Sequence, residues 1–268
     1  MPVVQPGTSI DGGAYVEVAG DVVWHFHGGE GSGPPIVLLH GAFGSASTWG
    51  PQIAGFLDAG HTVFAPERSG HGHSPDVGYP YTFEGMAAQT IAYLDSVVCI
   101  PAHLVGWADG GLVALLVAHH RPDLVARMVT VGSYVDAEGR DHDSFVGRIR
   151  TGDPEIVTFL RGDHDSRSPD GPEHFPVVFD KIVHMLSTDP YFRIDDFSSV
   201  PTPTLVVAAD RGVVRLESSI ALARTLPHGR LAVLPGTHVV PAEAPELFNP
   251  LVLSFLAADP PDEWMPPV

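Results

Sequence analysis

The stretch "LVGWADGG", residues 104–111, decides how the chain folds. Leu104 and Val105 close an apolar run, and Gly106, Gly110 and Gly111 set small residues around Trp107, Ala108 and Asp109. The residues that follow, "GGLVALLVAHH" (110–120), are apolar and long enough for a helix. The pattern is a buried strand turning sharply into a buried helix. Such a turn needs residues without bulk beside its tip, because backbone there approaches backbone. It lifts residue 108 out of the sheet and leaves the Asp109 amide at a helix N-terminus, where partial positive charge gathers. The turn is built to present residue 108, yet the alanine there has no lone pair and no acidic proton with which to attack a carbonyl.

Outward from this turn, short β-branched runs alternate with longer helical segments, which predicts a parallel sheet covered by helices. "AYVEVAG" (14–20) and "DVVWHFHG" (21–28) read as an antiparallel pair opening the sheet. "PPIVLLHG" (34–41), "TVFAPE" (62–67), "AHLVGW" (102–107), "ARMVTVGS" (126–133), "PTPTLVVAA" (201–209) and "GRLAVLPG" (229–236) read as further strands. "FEGMAAQTIAYLDSVV" (83–98) has helical spacing and carries the one cysteine, Cys99, to a packing position at its end. "APELFNPLVLSFLA" (244–257) reads as a closing helix that Pro250 bends or interrupts. Residues 134–200 break the rhythm: helix-like pieces such as "PEIVTFL" (154–160) and "FPVVFDKIVHML" (175–186) lie between Gly/Pro/Asp turns. The expected organisation is a core of residues 1–133 and 201–258, a helical cap of residues 134–200, and a loose proline-rich tail, 259–268.

The formal net charge of −18 argues against nucleic-acid and anionic-membrane partners, since both are polyanions. A single cysteine excludes an internal disulfide framework. The N-terminal residues lack the basic-then-apolar layout of a signal peptide, and no apolar run is long enough to span a membrane, so a soluble cytoplasmic protein is expected. Lys181 is the only lysine, and the Ala/Gly/Pro/Val/Asp-rich composition suggests a GC-rich bacterial source. The pairs His25/His27 and His71/His73 have the i, i+2 spacing of one strand face, but no carboxylate or cysteine motif joins them, so no metal and no cofactor is expected. Oligomeric state is not readable; a homodimer is compatible.

Four stretches fall in a recognisable order: "LLHGAFGS" (38–45), "PERSGHGHS" (66–74), "GWADGG" (106–111) and "LPGTH" (234–238), each after a strand. Together they resemble the α/β-hydrolase superfamily over nearly the whole chain outside the cap and tail. The resemblance implies a mostly parallel eight-stranded sheet with flanking helices and an inserted helical cap. It implies an oxyanion hole from the Asp109 amide and that of Ala42 or Phe43, with His238 as acid/base and Ala108 at the nucleophile position. His40, Trp107, Phe175 and Tyr191 become candidate substrate contacts for a small carbonyl compound.

The resemblance also exposes a second departure. Relatives often read G-D-x-D-x-V where this chain reads "AADRGVV" (208–214), so the usual position of the triad acid is Gly212. Asp210, Asp136 and Glu138 remain as alternative acids. With nucleophile and acid both altered, the expected function is non-hydrolytic: proton transfer, carbon–carbon bond formation or cyclisation on a carbonyl or enone, by analogy in bacterial aromatic natural-product biosynthesis. Two alternatives stay open. One is an ester or lactone hydrolase whose serine has been changed to Ala108. The other is a non-catalytic small-molecule-binding protein.

Overall fold

The computed structural model describes residues 4–136, 139, 145–188 and 192–258. Its frame is a nine-stranded sheet: β1 (Ser9–Ile10), β2 (Gly13–Val18), β3 (Asp21–Gly28), β4 (Ile36–Leu39), β5 (Val63–Pro66), β6 (Ala102–Trp107), β7 (Val125–Val131), β8 (Thr204–Arg211) and β9 (Gly229–Thr237). The order is β1-β2-β3-β5-β4-β6-β7-β8-β9. The pairs β1·β2, β2·β3 and β3·β5 are antiparallel, and every later pair is parallel. The sequence predicts eight strands; the ninth is the two-residue β1, paired Ser9 to Ala14 and Ile10 to Gly13, too short to leave an alternating signature.

Continuous apolar strands follow from burial on both faces. Ile36 and Leu38 of β4 face one way and pack with Trp49, Phe56 and Phe248. These neighbours come from or adjoin α1 (Gly50–Asp58) and α9 (Pro245–Ala257). Val37 and Leu39 face the other way and pack with Phe83, Tyr93 and Leu112, carried by α2 (Phe83–Tyr93) and α3 (Asp109–His120). α7 (Leu216–Thr225) and the short α8 (Val240–Glu243) complete the cover around β8 and β9.

Between β7 and β8 lie α4 (Phe145–Arg150), α5 (Pro154–Arg167) and α6 (Phe175–Thr188). Their own contact, Ile149, Leu160 and Phe175, is small. The insertion is held instead by the core. Val178, Ile182, Met185 and Leu186 of α6, at helical spacing, join the main cluster. Asp76 of the core receives Lys181 Nζ at 2.8 Å on both carboxylate oxygens and lies 2.8 Å from His174 Nε2. The chain's only lysine thus ties the insertion to the sheet.

Two local expectations are corrected. Cys99 is exposed: the helix ends on it in the left-handed region (φ 61°), with its N–H bonded to Leu94 O, and this turns the thiol outward. Pro250 does not interrupt α9, which runs through it. Pro250 and Glu246, whose carbonyl loses its helical donor, are both exposed, so water can replace the missing bond.

The predicted strand-to-helix turn packs backbone against backbone. A Cβ on Gly106 would lie 2.3 Å from Gly110 O, and one on Gly110 would lie 2.0 Å from Leu39 O. Both obstacles are backbone and cannot swing aside. Gly110→Ala is therefore expected to destabilise the protein by about 3 kcal/mol or more, at or beyond the upper end of overpacking effects. Thermal unfolding of the variant, set against the exposed control Gly162→Ala, checks this.

Candidate active site

Ala108 sits between β6 and α3 at φ 50°, ψ −118°, a conformation that L-residues rarely adopt. Its N–H donates to Val131 O at 2.9 Å and its carbonyl accepts from Gly111 N at 3.0 Å, so both neighbouring elements hold the strain in place. The Asp109 carboxylate is buried and accepts a hydrogen bond from Tyr134 Oη at 2.7 Å.

The loop after β4 faces this turn. His40 is buried beneath it as a neutral ring: Nε2 accepts from Arg68 N–H at 3.1 Å and Nδ1–H donates to Gly41 O at 2.8 Å. Burial first, then the Arg68 charge, holds its pKa well below the usual histidine value. Phe43, at φ 57°, carries the loop over the cavity. Glu67, fully buried, fixes the loop's far end by accepting from Ala46 N–H at 2.9 Å and from His73 N–H at 2.5 Å.

His238 follows β9. Its carbonyl accepts from Trp107 Nε1–H at 2.8 Å, and the two rings lie 5.8 Å apart. His238 lines the main cavity, whereas its Nδ1 is buried and has no hydrogen-bond partner among the described residues. The two candidate acids that are described do not supply that partner. Asp210 is exposed and accepts from Gly236 N–H at 2.8 Å. Asp136 accepts from Gly139 N–H at 2.7 Å and closes its own turn. Glu138 lies outside the described residues. Beside Nδ1 is a cavity of about 10 Å³ lined in part by Gly132, Ala209, Gly212 and Val214, room for about one water. Burial without a compensating charge lowers the His238 pKa from 6.5 to about 4, so the ring is neutral at pH 7.

Ala42, Phe43, Trp107, Ala108, Asp109 and His238 line one cavity of about 210 Å³. Its other walls are mainly apolar: Ile149, Phe159, Leu160 and Leu186 from the insertion, with Val213 and Val239 from the core. Among the described residues, neither Lys nor Arg lines it. His40 is one layer below, and Phe175 faces a separate small space shared with His71 and His164. Tyr191 lies outside the described residues. Sequence reading did not single out Tyr134 or the wall residues of the insertion, because several short helices can turn various faces to a sheet and periodicity does not choose among them. It also passed over Glu67 and Arg68, although "PERSGHGHS" places two charges between apolar strand and glycine turn, which signals buried, paired groups.

The sequence profile of the Alpha/beta hydrolase family matches residues 36–251. The chain belongs to the α/β-hydrolase family. Among curated relatives it is 32% identical over 251 residues, 85% of this chain and 94% of the other, to a protein of Variovorax paradoxus named "Putative carbamate hydrolase RutD". It is 26% identical over 249 residues, 86% of this chain and 93% of the other, to "Pyrrolizixenacetamide deacetylase" of Xenorhabdus hominickii. Among solved structures, the enol-lactonase of Burkholderia xenovorans superposes with a TM-score of 0.74 at 20% identity, covering 91% of this chain and all of that one (100%). These family members carry hydrolase names, and the names lend no support to the expected carbon–carbon bond formation or biosynthetic role. Membership accounts for the sheet and the turn.

Strain at Ala108 makes a measurable claim. Glycine at 108 relieves about 1–3 kcal/mol of backbone strain and costs about 0.5–1 kcal/mol of chain entropy. Ala108→Gly is therefore expected to be stabilising by about 1 kcal/mol although it removes a methyl group. Denaturant unfolding of both proteins decides it; a loss of stability counts against the strain.

Proposed function

We propose that this chain is an α/β-hydrolase-fold enzyme that moves a proton at the carbon next to an uncharged carbonyl, without an acyl-enzyme intermediate. The observation that carries this reading is the His238 Nδ1 edge, buried with no acid among the described residues bonded to it, beside an alanine where a nucleophile would stand. In this mechanism the substrate carbonyl oxygen meets the Asp109 amide and that of Ala42 or Phe43, which stabilise the enolate as it forms, each such donor worth about 2.7–4 kcal/mol. His238 Nε2 takes the proton from carbon and returns it, to the same carbon or another. The apolar walls hold the body of the substrate, and residues 134–200 act as the cap that excludes water. Among the described residues the lining carries no Lys or Arg, which favours a neutral substrate.

The weak base selects the proton. Burial makes His238 a weaker base than a free imidazole, so the gap to the proton of bulk water, a far weaker acid than the imidazolium, is wide. A carbon acid flanked by two carbonyls, or vinylogous to one, closes much of that gap. Direct activation of water is the harder task for this histidine, and so is activation of an introduced serine.

The relatives' names, together with a strained presentation turn kept intact, favour a second reading: a hydrolase in which alanine stands in place of serine. The two readings differ in outcome. For proton transfer, deuterium uptake from D2O by neutral aryl 1,3-diketones is accelerated by the wild-type protein and falls to background in His238→Ala, followed by NMR. Ala108→Ser forms no acyl-enzyme with p-nitrophenyl butyrate by intact-protein mass spectrometry. Wild-type exchange no faster than buffer, with rapid ester turnover by Ala108→Ser, would establish the hydrolase reading instead.

pH supplies a further check. The active form requires neutral His238, so the acid limb of kcat/KM is expected below pH 5, near the depressed pKa of about 4, rather than at 6.5. Gly212→Asp places a carboxylate toward Nδ1, stabilises the imidazolium and moves the limb upward, toward 6.5 or beyond. An unchanged limb in a folded Gly212→Asp protein argues that position 212 does not face His238.

A further inference from the structure

Phe159 is the most exposed large apolar side chain among the described residues, at 74%, and it also lines the main cavity. Packing of the fold does not account for it. Ile156, Leu160 and His164, at helical spacing, form the inward stripe of α5. Phe159 stands beside that stripe and joins none of the apolar clusters. Val239 of the core repeats the pattern: it is 39% exposed and lines the same cavity. A side chain that both meets water and lines a cavity stands at the cavity's mouth. The mouth therefore has one apolar lip from the insertion and one from the core, and both are wet. Apolar side chains exposed together at one opening mark a place that an apolar group covers.

We infer that Phe159 and Val239 determine specificity by gripping an uncharged hydrocarbon arm of the substrate, which reaches from the cavity out to the protein surface. The ligand class is a neutral carbonyl compound with an alkyl or alkyl-aryl arm. The charges of α5 argue for a neutral arm. Glu155 and Asp163 lie one turn to either side of Phe159 on the same helix face. The arginines of α5 are already paired, Arg161 with Asp165 and Arg167 with Asp163, so the helix offers an arm ending in a carboxylate repulsion and no free guanidinium. The inference rests on the proposed function only in taking this cavity as the substrate site. It does not depend on proton transfer, because the lip acts on the part of the ligand that does not react. Each methylene drawn from water between the two lips tightens binding, by about fourfold at full burial.

The experiment titrates the whole protein by calorimetry with 1-phenylbutane-1,3-dione and its 4-ethylphenyl and 4-butylphenyl analogues. Kd is expected to fall about 2–4-fold per added methylene. Phe159→Ser, on an exposed helix face, is expected to fold and to cut that gain below about 1.5-fold per methylene, whereas Phe159→Leu keeps most of it. An analogue whose butyl arm ends in a carboxylate is expected to bind about 10-fold more weakly than the neutral butyl compound. A flat series in the wild-type protein, no binding by any member, the same gain in Phe159→Ser, or a carboxylate arm that binds as tightly as the neutral one would each overturn the inference. So would a ligand-free dimer, seen by sedimentation, that Phe159→Ser dissociates, since the lip would then belong to a second copy of the chain. Deuterium uptake is read separately: its absence beside an intact chain-length series removes the proposed reaction and leaves the lip standing.

Discussion

The first turn of α3 lies against the ends of β4 and β6 with no room for a side chain. Gly106 touches Gly110, Gly110 touches the Leu39 carbonyl, and a Cβ on Gly111 would overlap Ser133 Oγ. Backbone contact of this kind fixes the direction in which α3 leaves the sheet. It also forces Ala108 into a conformation that its own side chain disfavours. The rest of the site inherits its position from that contact: Asp109 opens α3, Trp107 closes β6, and Trp107 in turn holds the backbone of His238 through its indole N–H. Three of the groups around the cavity are therefore placed by one turn, independently of what residue 108 can do chemically.

A second layer supports the opposite wall. Glu67 and Arg68 leave β5 side by side and diverge. Glu67 collects backbone N–H groups from the loops at Ala46 and His73, and Arg68 collects the carbonyls of His40 and Gly41. One carboxylate and one guanidinium thus serve as scaffolding for a loop that has little regular hydrogen bonding of its own. Buried charges in this role are rigid because each lost partner would leave an uncompensated ion. His73 lies between Glu67 and Asp11, and its pKa is raised; burial alone would lower it, and the two carboxylates outweigh burial.

Much of this was legible in the sequence because it rests on short-range rules. Strands buried on both faces read as unbroken apolar runs, and "IVLL" (36–39) is buried at every position. The turn at 104–111 was readable because glycine there answers a steric demand that no other residue meets. What was not legible depends on directions set by tertiary packing. Nothing in "FPVVFDKIVHML" states that Val178 and Ile182 bind the core while Phe175 turns toward His164. Nor does spacing reveal that Asp210, two residues from the usual acid position, bends back to Gly236 and away from His238. The alanine at 108 and the glycine at 212 were visible as letters; that no described group bonds His238 Nδ1 appears only in three dimensions.

The consequence for His238 is a separation of two duties that a carboxylate partner normally performs together. A buried acid both orients the imidazole and stabilises its protonated form, and loss of the correct arrangement in a serine-based site costs about 10⁴-fold in turnover. In this chain, orientation is partly retained by other means: the His238 carbonyl is anchored by Trp107, the ring packs 5.8 Å from the indole, and Gly132 approaches so closely that a Cβ there would lie 3.0 Å from Nδ1. Electrostatic stabilisation is lost, and burial then drives the pKa down instead of up. A histidine that is held in place but is a poor proton acceptor suits substrates whose proton is already acidic, and it fails with alcohols and water. The proposed proton transfer rests on this pairing of a positioned ring with a lowered pKa, within a fold shared with hydrolases.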